Sequence, residues 1–233
     1  MKSRQVVIAF SILAGLSSGL LAQTTISSDI HIVKGKKHSK AVSTVSGDIL
    51  VGKGAELSAS ISTVSGDVEI GSAAHVGNIS AVSGDISVGK GASTAGIETV
   101  SGDINIYEKC AIRGSIATVS GDVNCDSGTK MDNNIKTVSG DIELDDAILK
   151  GNIETVTGDI SLFNGSTVAG DIIVNRQSDF VLFHDGVLKI IIDMHSVVNG
   201  SILVNEKDSN VVVYLANGGK VKGEIVNAEV RKQ

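Results

Sequence analysis

From residue 42 onward the chain repeats one short cadence, in which two apolar residues flank a third that is mostly polar. The apolar pairs are Ile49/Val51, Val68/Ile70, Ile86/Val88, Ile104/Ile106, Val123/Cys125, Ile142/Leu144 and Ile160/Leu162. Between them stand Leu50, Glu69, Ser87, Asn105, Asn124, Glu143 and Ser161. Period-two alternation of this kind turns each pair inward on a β-strand and the residue between them outward.

Each pair follows a turn signal. Val-Ser-Gly-Asp ends at Asp48, Asp67, Asp85, Asp103, Asp122 and Asp141, then decays to Val-Thr-Gly-Asp at Asp159 and Val-Ala-Gly-Asp at Asp171. The glycines are 19, 18, 18, 19, 19, 18 and 12 residues apart. The turn reading rests on glycine accepting positive φ and on Asp or Ser bonding back to nearby amides. Five residues before the first seven of these glycines lies another apolar column: Val42, Ile61, Ile79, Ile97, Ile116, Ile135 and Ile153. Residues 61–79 are a typical unit, with strands predicted at Ile61–Val64, Val68–Ile70 and, more weakly, Ala74–Val76.

A fixed period outranks local propensity as a fold signal. Units of this size with three strands and three turns predict an all-β, single-stranded β-solenoid (parallel β-helix), each strand bonding to its counterpart one coil away. An antiparallel sandwich does not call for identical turns in identical register, and β-branched, Gly-rich strings disfavour helices. Roughly ten coils at about 4.8 Å each predict a rod about 45 to 50 Å long. Eighteen-residue units suit a left-handed helix and nineteen-residue units interrupt it, so the hand stays open.

The expected organisation has four parts. Residues 1–22 read as a secretory signal peptide, with basic Lys2 and Arg4, an apolar run from Val6 to Leu21 and cleavage after Ala22. Residues 23–41 form a lead-in strand or cap, 42–176 the regular solenoid, and 177–233 irregular larger coils that close the rod. Phe180–Phe183, Leu188–Ile192 and Val211–Leu215 are stronger apolar strands than those of the repeats. A separate small β-domain from about residue 177 is the alternative.

Composition narrows the chemistry. The chain has 27 Gly, 4 Phe, 2 Tyr and neither Pro nor Trp, which implies a thin core of small aliphatic side chains. Without residues 1–22 it carries 18 basic and 26 acidic residues, a charge of -8, which argues against a nucleic-acid partner. Once the leader is removed, no stable transmembrane span is expected. The aspartate column is read first as turn structure and second as a calcium stripe, for which one carboxylate per coil is a poor ligand set. Thr44, Thr63, Thr99, Thr118, Thr137, Thr155 and Thr167 precede repeat glycines by three residues, with Ala81 in the remaining place. Alternation from the Ile column favours an inward threonine over an exposed, surface-matching array.

Cys110 and Cys125 fall in buried columns, where packing is favoured over a cross-link. His31, His38, His75, His184 and His195 share no metal-ligand spacing. His184-Asp185 and Asp193-Met194-His195 are the nearest approach to a catalytic group. No catalytic, cofactor-binding or metal-binding residue is assigned, and no cofactor is expected.

The string Thr-Val-Ser-Gly-Asp-Ile, at Thr99–Ile104 and Thr137–Ile142, resembles a bacterial adhesin-like family with β-strand repeats that includes auto-transporter adhesin head-like proteins. The resemblance covers roughly residues 42–174. It implies an exported or envelope-associated solenoid with no catalytic residues to carry over. Bactofilins look similar in repeat length, but their cytoplasmic location conflicts with the leader here. The expectation is a non-enzymatic structural or adhesive solenoid in the periplasm, on the outer-membrane surface or secreted. Its recognition face would comprise positions 69, 87, 105, 124 and 143 with Glu98, Lys136 and Glu154. Its partners would be an envelope polysaccharide, a surface protein or further copies of itself. The class-different alternative is a carbohydrate-active enzyme built on Asp193 and His195.

Overall fold

A computed structural model describes residues 23–175, 186–206 and 210–232. They form a single-stranded, all-parallel β-solenoid with three short strands per coil. The strands assemble into three sheets of 11, 11 and 10 strands, and every neighbour in a sheet comes from the adjacent coil. The signal-peptide reading of residues 1–22, the strand expected at Phe180–Phe183, and His184-Asp185 lie outside the described residues.

In the unit read above, the strands are Ile61–Ser65, Val68–Ile70 and His75–Val76, one for each sheet. Register follows the hydrophobic columns. Ile79 stacks on Ile61, Ile86 on Val68, and Val88 on Ile70. Ile49, Ile61, Ile79, Ile86, Ile97, Ile104 and Ile135 are buried, as are their column neighbours, in one core running the length of the rod. Burying each isoleucine contributes about 2 kcal/mol, and each coil lends its apolar edge to the next.

The backbone alternates with the side chains. Ile30, an inward residue, donates its N–H to Asp48 of the next coil at 2.8 Å, and inward Ile32 accepts from Gly52 at 2.8 Å. Ile49 and Val51 repeat this one coil on, toward Asp67 and Gly71. Inward residues therefore direct both backbone groups toward the C-terminal end of the rod, and outward residues direct theirs backward.

Unit length varies only at corners. Coils beginning at Ile61 and Ile79 omit one residue between the third sheet and the first, where His75 leads to Ile79 and Ser93 to Ile97. Residues 23–41 supply a full coil, with Gln23 on Val42, Ile30 on Ile49 and Lys37 on Glu56. Beyond Asp171 the coils lengthen to 30 and then 23 residues, as the separations Asp159–Lys189 and Ser201–Glu224 show. Their strands still join the same three sheets, with Ile190 on Ile160, Val197 on Thr167 and Ile202 on Ile172. All the added residues fall between the first and second sheets.

Two registers differ from the sequence reading. Asp171 precedes Ile172 of the first sheet, so it occupies the corner between the third and first sheets, not the Val-Ser-Gly-Asp corner. The final 12-residue step is a jump from one corner to another. Thr167 accordingly lies on the third sheet and is only half-buried; the threonine column continues instead at Val174, stacked on Thr155.

Candidate functional site

The aspartate corner is a side-chain ladder that holds coils together. Oδ1 of Asp48 accepts the backbone N–H of Asp67 at 2.9 Å, and Asp67, Asp85 and Asp103 accept from the next aspartate at the same distance. Asp122 accepts from Asp141 at 2.8 Å, Asp141 from Asp159 at 2.7 Å, and Asp159 from Lys189 at 2.7 Å. The ladder begins one coil before the repeated tetrapeptide, because Asp29 accepts from Asp48 at 3.0 Å. Ser28 stands where later coils have glycine, which hides Asp29 from a search for the tetrapeptide, although it lies 19 residues before Asp48.

The repeat glycines answer a different demand from the one expected. A Cβ on Gly66, Gly84, Gly102, Gly121, Gly140 or Gly158 would fall inside van der Waals contact of the glycine carbonyl oxygen one coil earlier. Close approach of stacked backbones, more than positive φ, selects glycine there. Positive φ is found at two of these glycines, Gly84 and Gly102, at 143° and 158°, and recurs at the following corner, at Gly35, Gly54, Ala73, Gly91 and Lys109, with φ of 65°, 65°, 57°, 70° and 61°.

The threonine column points inward. Thr44, Thr63, Thr99, Thr118, Thr137 and Thr155 are buried. Thr137 Oγ1 accepts the N–H of Gly140 at 2.9 Å, and Thr44 and Thr155 accept from Gly47 and Gly158 at 3.2 Å. The hydroxyls of Thr63, Thr99 and Thr118 are buried without a partner. An exposed threonine array is therefore not present among these residues.

Both cysteines are buried free thiols. Cys110 stacks in line with Ala92 and Ala74, and its Sγ lies 3.2 Å from the Gly89 carbonyl oxygen. Cys125 Sγ lies 3.6 Å from Met131 Sδ. Burial raises the pKa of both thiols, so neither is a ready nucleophile. Asp193 caps a turn, accepting from Met194 N–H at 2.6 Å and from Asn217 Nδ2 at 2.8 Å. The next two residues, Met194 and His195, have φ of 48° and 64°. The His195 ring sits against Gly218. Among the described residues, no three His, Cys, Asp or Glu side chains are grouped to hold a metal ion.

The outward residues do not form one face. Glu69, Ser87, Asn105, Asn124 and Glu143 stack on the second sheet, whereas Glu98, Lys136 and Glu154 lie on the first, across the aspartate corner. On the first sheet Lys136 pairs with Glu154 at 2.9 Å, and Ala117 interrupts the polar column as a buried residue. On the second sheet the Asn124 side-chain amide donates to Asn105 Oδ1 at 3.0 Å. Beside them is a shallow depression of about 390 Å³, bordered by Asp67, Glu69, Asp85, Ser87, Asn105 and Tyr107. Tyr107 is 48% exposed and ends the strand's outer surface at the next corner. The sequence reading passed over it because it falls one residue beyond the alternating triplet.

The one-coil register of the three sheets extends across the segment that a known family describes. The family model Toastrack DUF4097 matches residues 77–220, more than half of the chain. The chain belongs to this family. No curated protein and no solved structure matches it. The Toastrack segment includes Asn105, Tyr107, Asn124 and Glu143 of the second-sheet face, while Glu69 precedes it. The coils on either side, from Gln23 and up to Lys232, extend the Toastrack stack in the same three sheets.

Proposed function

We propose that this Toastrack chain is an exported, non-enzymatic rod of the bacterial cell envelope with a structural or adhesive role. Its place is the periplasm, the outer-membrane surface or the extracellular space. The second-sheet column at Glu69, Ser87, Asn105, Asn124 and Glu143 supports this reading, because it presents a polar row in fixed register while the inward columns are occupied by packing. Side chains one coil apart match the regular spacing of a polymer better than the shape of one small molecule. Tyr107 offers an aromatic surface beside amide and carboxylate groups, a combination suited to the apolar face and hydroxyls of a sugar. The expected ligand is an envelope polysaccharide, with a surface protein as the other class.

The test combines location and binding. A C-terminally tagged chain should appear in the periplasmic, outer-membrane or secreted fraction. Purified protein should be retained on envelope polysaccharide, and Tyr107→Ala or Glu69→Lys should reduce retention without lowering the unfolding temperature. Cytoplasmic retention would overturn the exported role. Turnover of a polysaccharide, lost on replacement of Asp193 or His195, would overturn the non-enzymatic one.

A further inference from the structure

The third sheet carries a depression of its own, on a different face from the second-sheet row. It holds about 330 Å³ and is bordered by Glu56, His75, Ser93 and Arg113 around Gly77 and Ala95. Register builds its walls. Glu56, His75, Ser93 and Ala111 follow one another, one coil apart, in the outward column of the third sheet. Arg113 lies two residues beyond Ala111, and its N–H donates to the Thr94 carbonyl at 3.1 Å, which sets it beside Ala95 at the corner. The floor is open for a packing reason: a Cβ on Gly77 would lie 2.5 Å from the Ala59 carbonyl oxygen, so stacking admits no side chain there. Buried Thr94 donates its hydroxyl to the Gly77 carbonyl at 2.7 Å and fixes that floor.

Charge is unevenly matched around this depression. Glu56 pairs with Lys37 and Asp132 with Lys150, each at 2.7 Å, whereas Arg113 and Lys130, on either side of Ala111, make no ion pair among the described residues. Two cations are thus left over on this stretch of a chain whose net charge is -6. Hydrogen bonding is unevenly matched as well. His75 Nδ1 and Ser93 Oγ lie 2.7 Å apart. Whichever of them donates, one donor remains: Nε2–H when the serine hydroxyl gives its hydrogen to Nδ1, and the hydroxyl itself when Nδ1–H gives its own. The depression therefore has a guanidinium at one side and a spare donor at the other.

We infer that this depression binds a phosphoryl group carried on a sugar or polyol. A guanidinium fork saturates the two oxygens of a carboxylate, whereas a phosphoryl group keeps a third oxygen for the donor of the His75–Ser93 pair. A volume of about 330 Å³ accommodates one such unit. Glu56 opposes the anion from the rim, and Lys37 offsets it. The site shares no residue with the second-sheet row and stands whether or not that row binds a polymer.

Titrating the full isotope-labelled chain with glycerol phosphate, while following amide chemical shifts, tests this. Saturable shifts are expected at Ser93, Ala95 and Arg113, and none with glycerol. Gluconate, a carboxylate on a polyol, should bind at least about tenfold more weakly. Arg113→Gln should weaken glycerol phosphate binding at least about tenfold and Ser93→Ala about fivefold, both with the unfolding temperature unchanged. Glu56→Gln removes the opposing charge and should tighten binding. Absence of saturable shifts overturns the proposal, as does gluconate binding equally well. So does binding that survives Arg113→Gln or is lost in Glu56→Gln.

Discussion

Replacing Gly121 with alanine separates close stacking from backbone conformation as the reason for the repeat glycines. A Cβ at Gly121 meets the carbonyl oxygen of Gly102, while Gly121's own carbonyl faces the Cβ position of Gly140. Relief requires the corner to lift by about 1.5 Å, since non-bonded atoms settle near 3.5 Å. Three hydrogen bonds cross that corner: Ser120 N–H to Val100 O at 2.9 Å, Ile104 N–H to Asp122 O at 2.8 Å, and Asp122 N–H to Asp103 Oδ1 at 2.9 Å. At about 1 kcal/mol each, their loss predicts destabilisation of about 3 kcal/mol. Gly54→Ala is the control, because φ there is 65° and nothing lies within 4 Å of the added Cβ. Its left-handed backbone should cost only about 1 kcal/mol, after the stiffer unfolded chain offsets part of the strain. Ala73 already occupies the equivalent position one coil on, at φ 57°. Urea unfolding followed by far-UV circular dichroism measures the difference, and hydrogen exchange at Ser120 and Asp122 places it. Equal losses for the two variants, or an unharmed Gly121→Ala, would refute the stacking argument.

Thr118→Val should leave stability unchanged or raise it by up to about 1 kcal/mol, because it removes a buried hydroxyl without a partner. Thr137→Val should lower stability by about 1 kcal/mol through loss of the Gly140 bond, and comparing urea midpoints checks both. Asp103→Ala should cost about 1 kcal/mol in the same assay by freeing the Asp122 amide, whereas Asp103→Asn, which keeps the acceptor oxygen, should cost less than half as much. Desolvation, then the charges of Asp145 and Glu108, raise the Asp126 pKa, so its charged form opposes folding above that folded pKa. Asp126→Asn should therefore melt higher than the parent at pH 7, and the difference should vanish below about pH 3, where the carboxyl is protonated in both states.

The solenoid was legible because each coil meets the same physical demands and therefore repeats the same residue types. Ile61, Val68 and Ile70 state the register once, and their counterparts one coil on state it again. Legibility failed where identity and register came apart. Asp171 and Thr167 carry the tetrapeptide's spelling at another corner, and Asp29 holds the ladder position without the spelling. The glycines were placed correctly but for the wrong main reason, since a contact between coils cannot be seen within one coil's sequence. Tyr107 and Arg113 were missed because neither repeats, and periodicity reveals only what repeats.

The displaced Asp171 also explains how the rod accepts its long coils. A second ladder runs along the corner between the third and first sheets. Asn134 Oδ1 accepts from Asn152 N–H and Asn152 Oδ1 from Asp171 N–H, each at 2.9 Å. Asp171 Oδ1 then accepts from Ser201 N–H at 2.8 Å, and Ser201 Oγ from Glu224 N–H at 3.1 Å. The aspartate ladder ends at Lys189, where the path between the first two sheets has lengthened; Ile172 to Ile190 spans 18 positions where Ile153 to Ile160 spans 7. The two ladders overlap around Asp141 and Asp159, so side-chain support passes from one corner to the other before the first is interrupted. The corner opposite the second sheet keeps its five-residue step, from Thr167 to Ile172 and from Val197 to Ile202, through the insertion. One corner can therefore carry variable connections while another holds register, which is why the rod lengthens its coils without losing its three sheets.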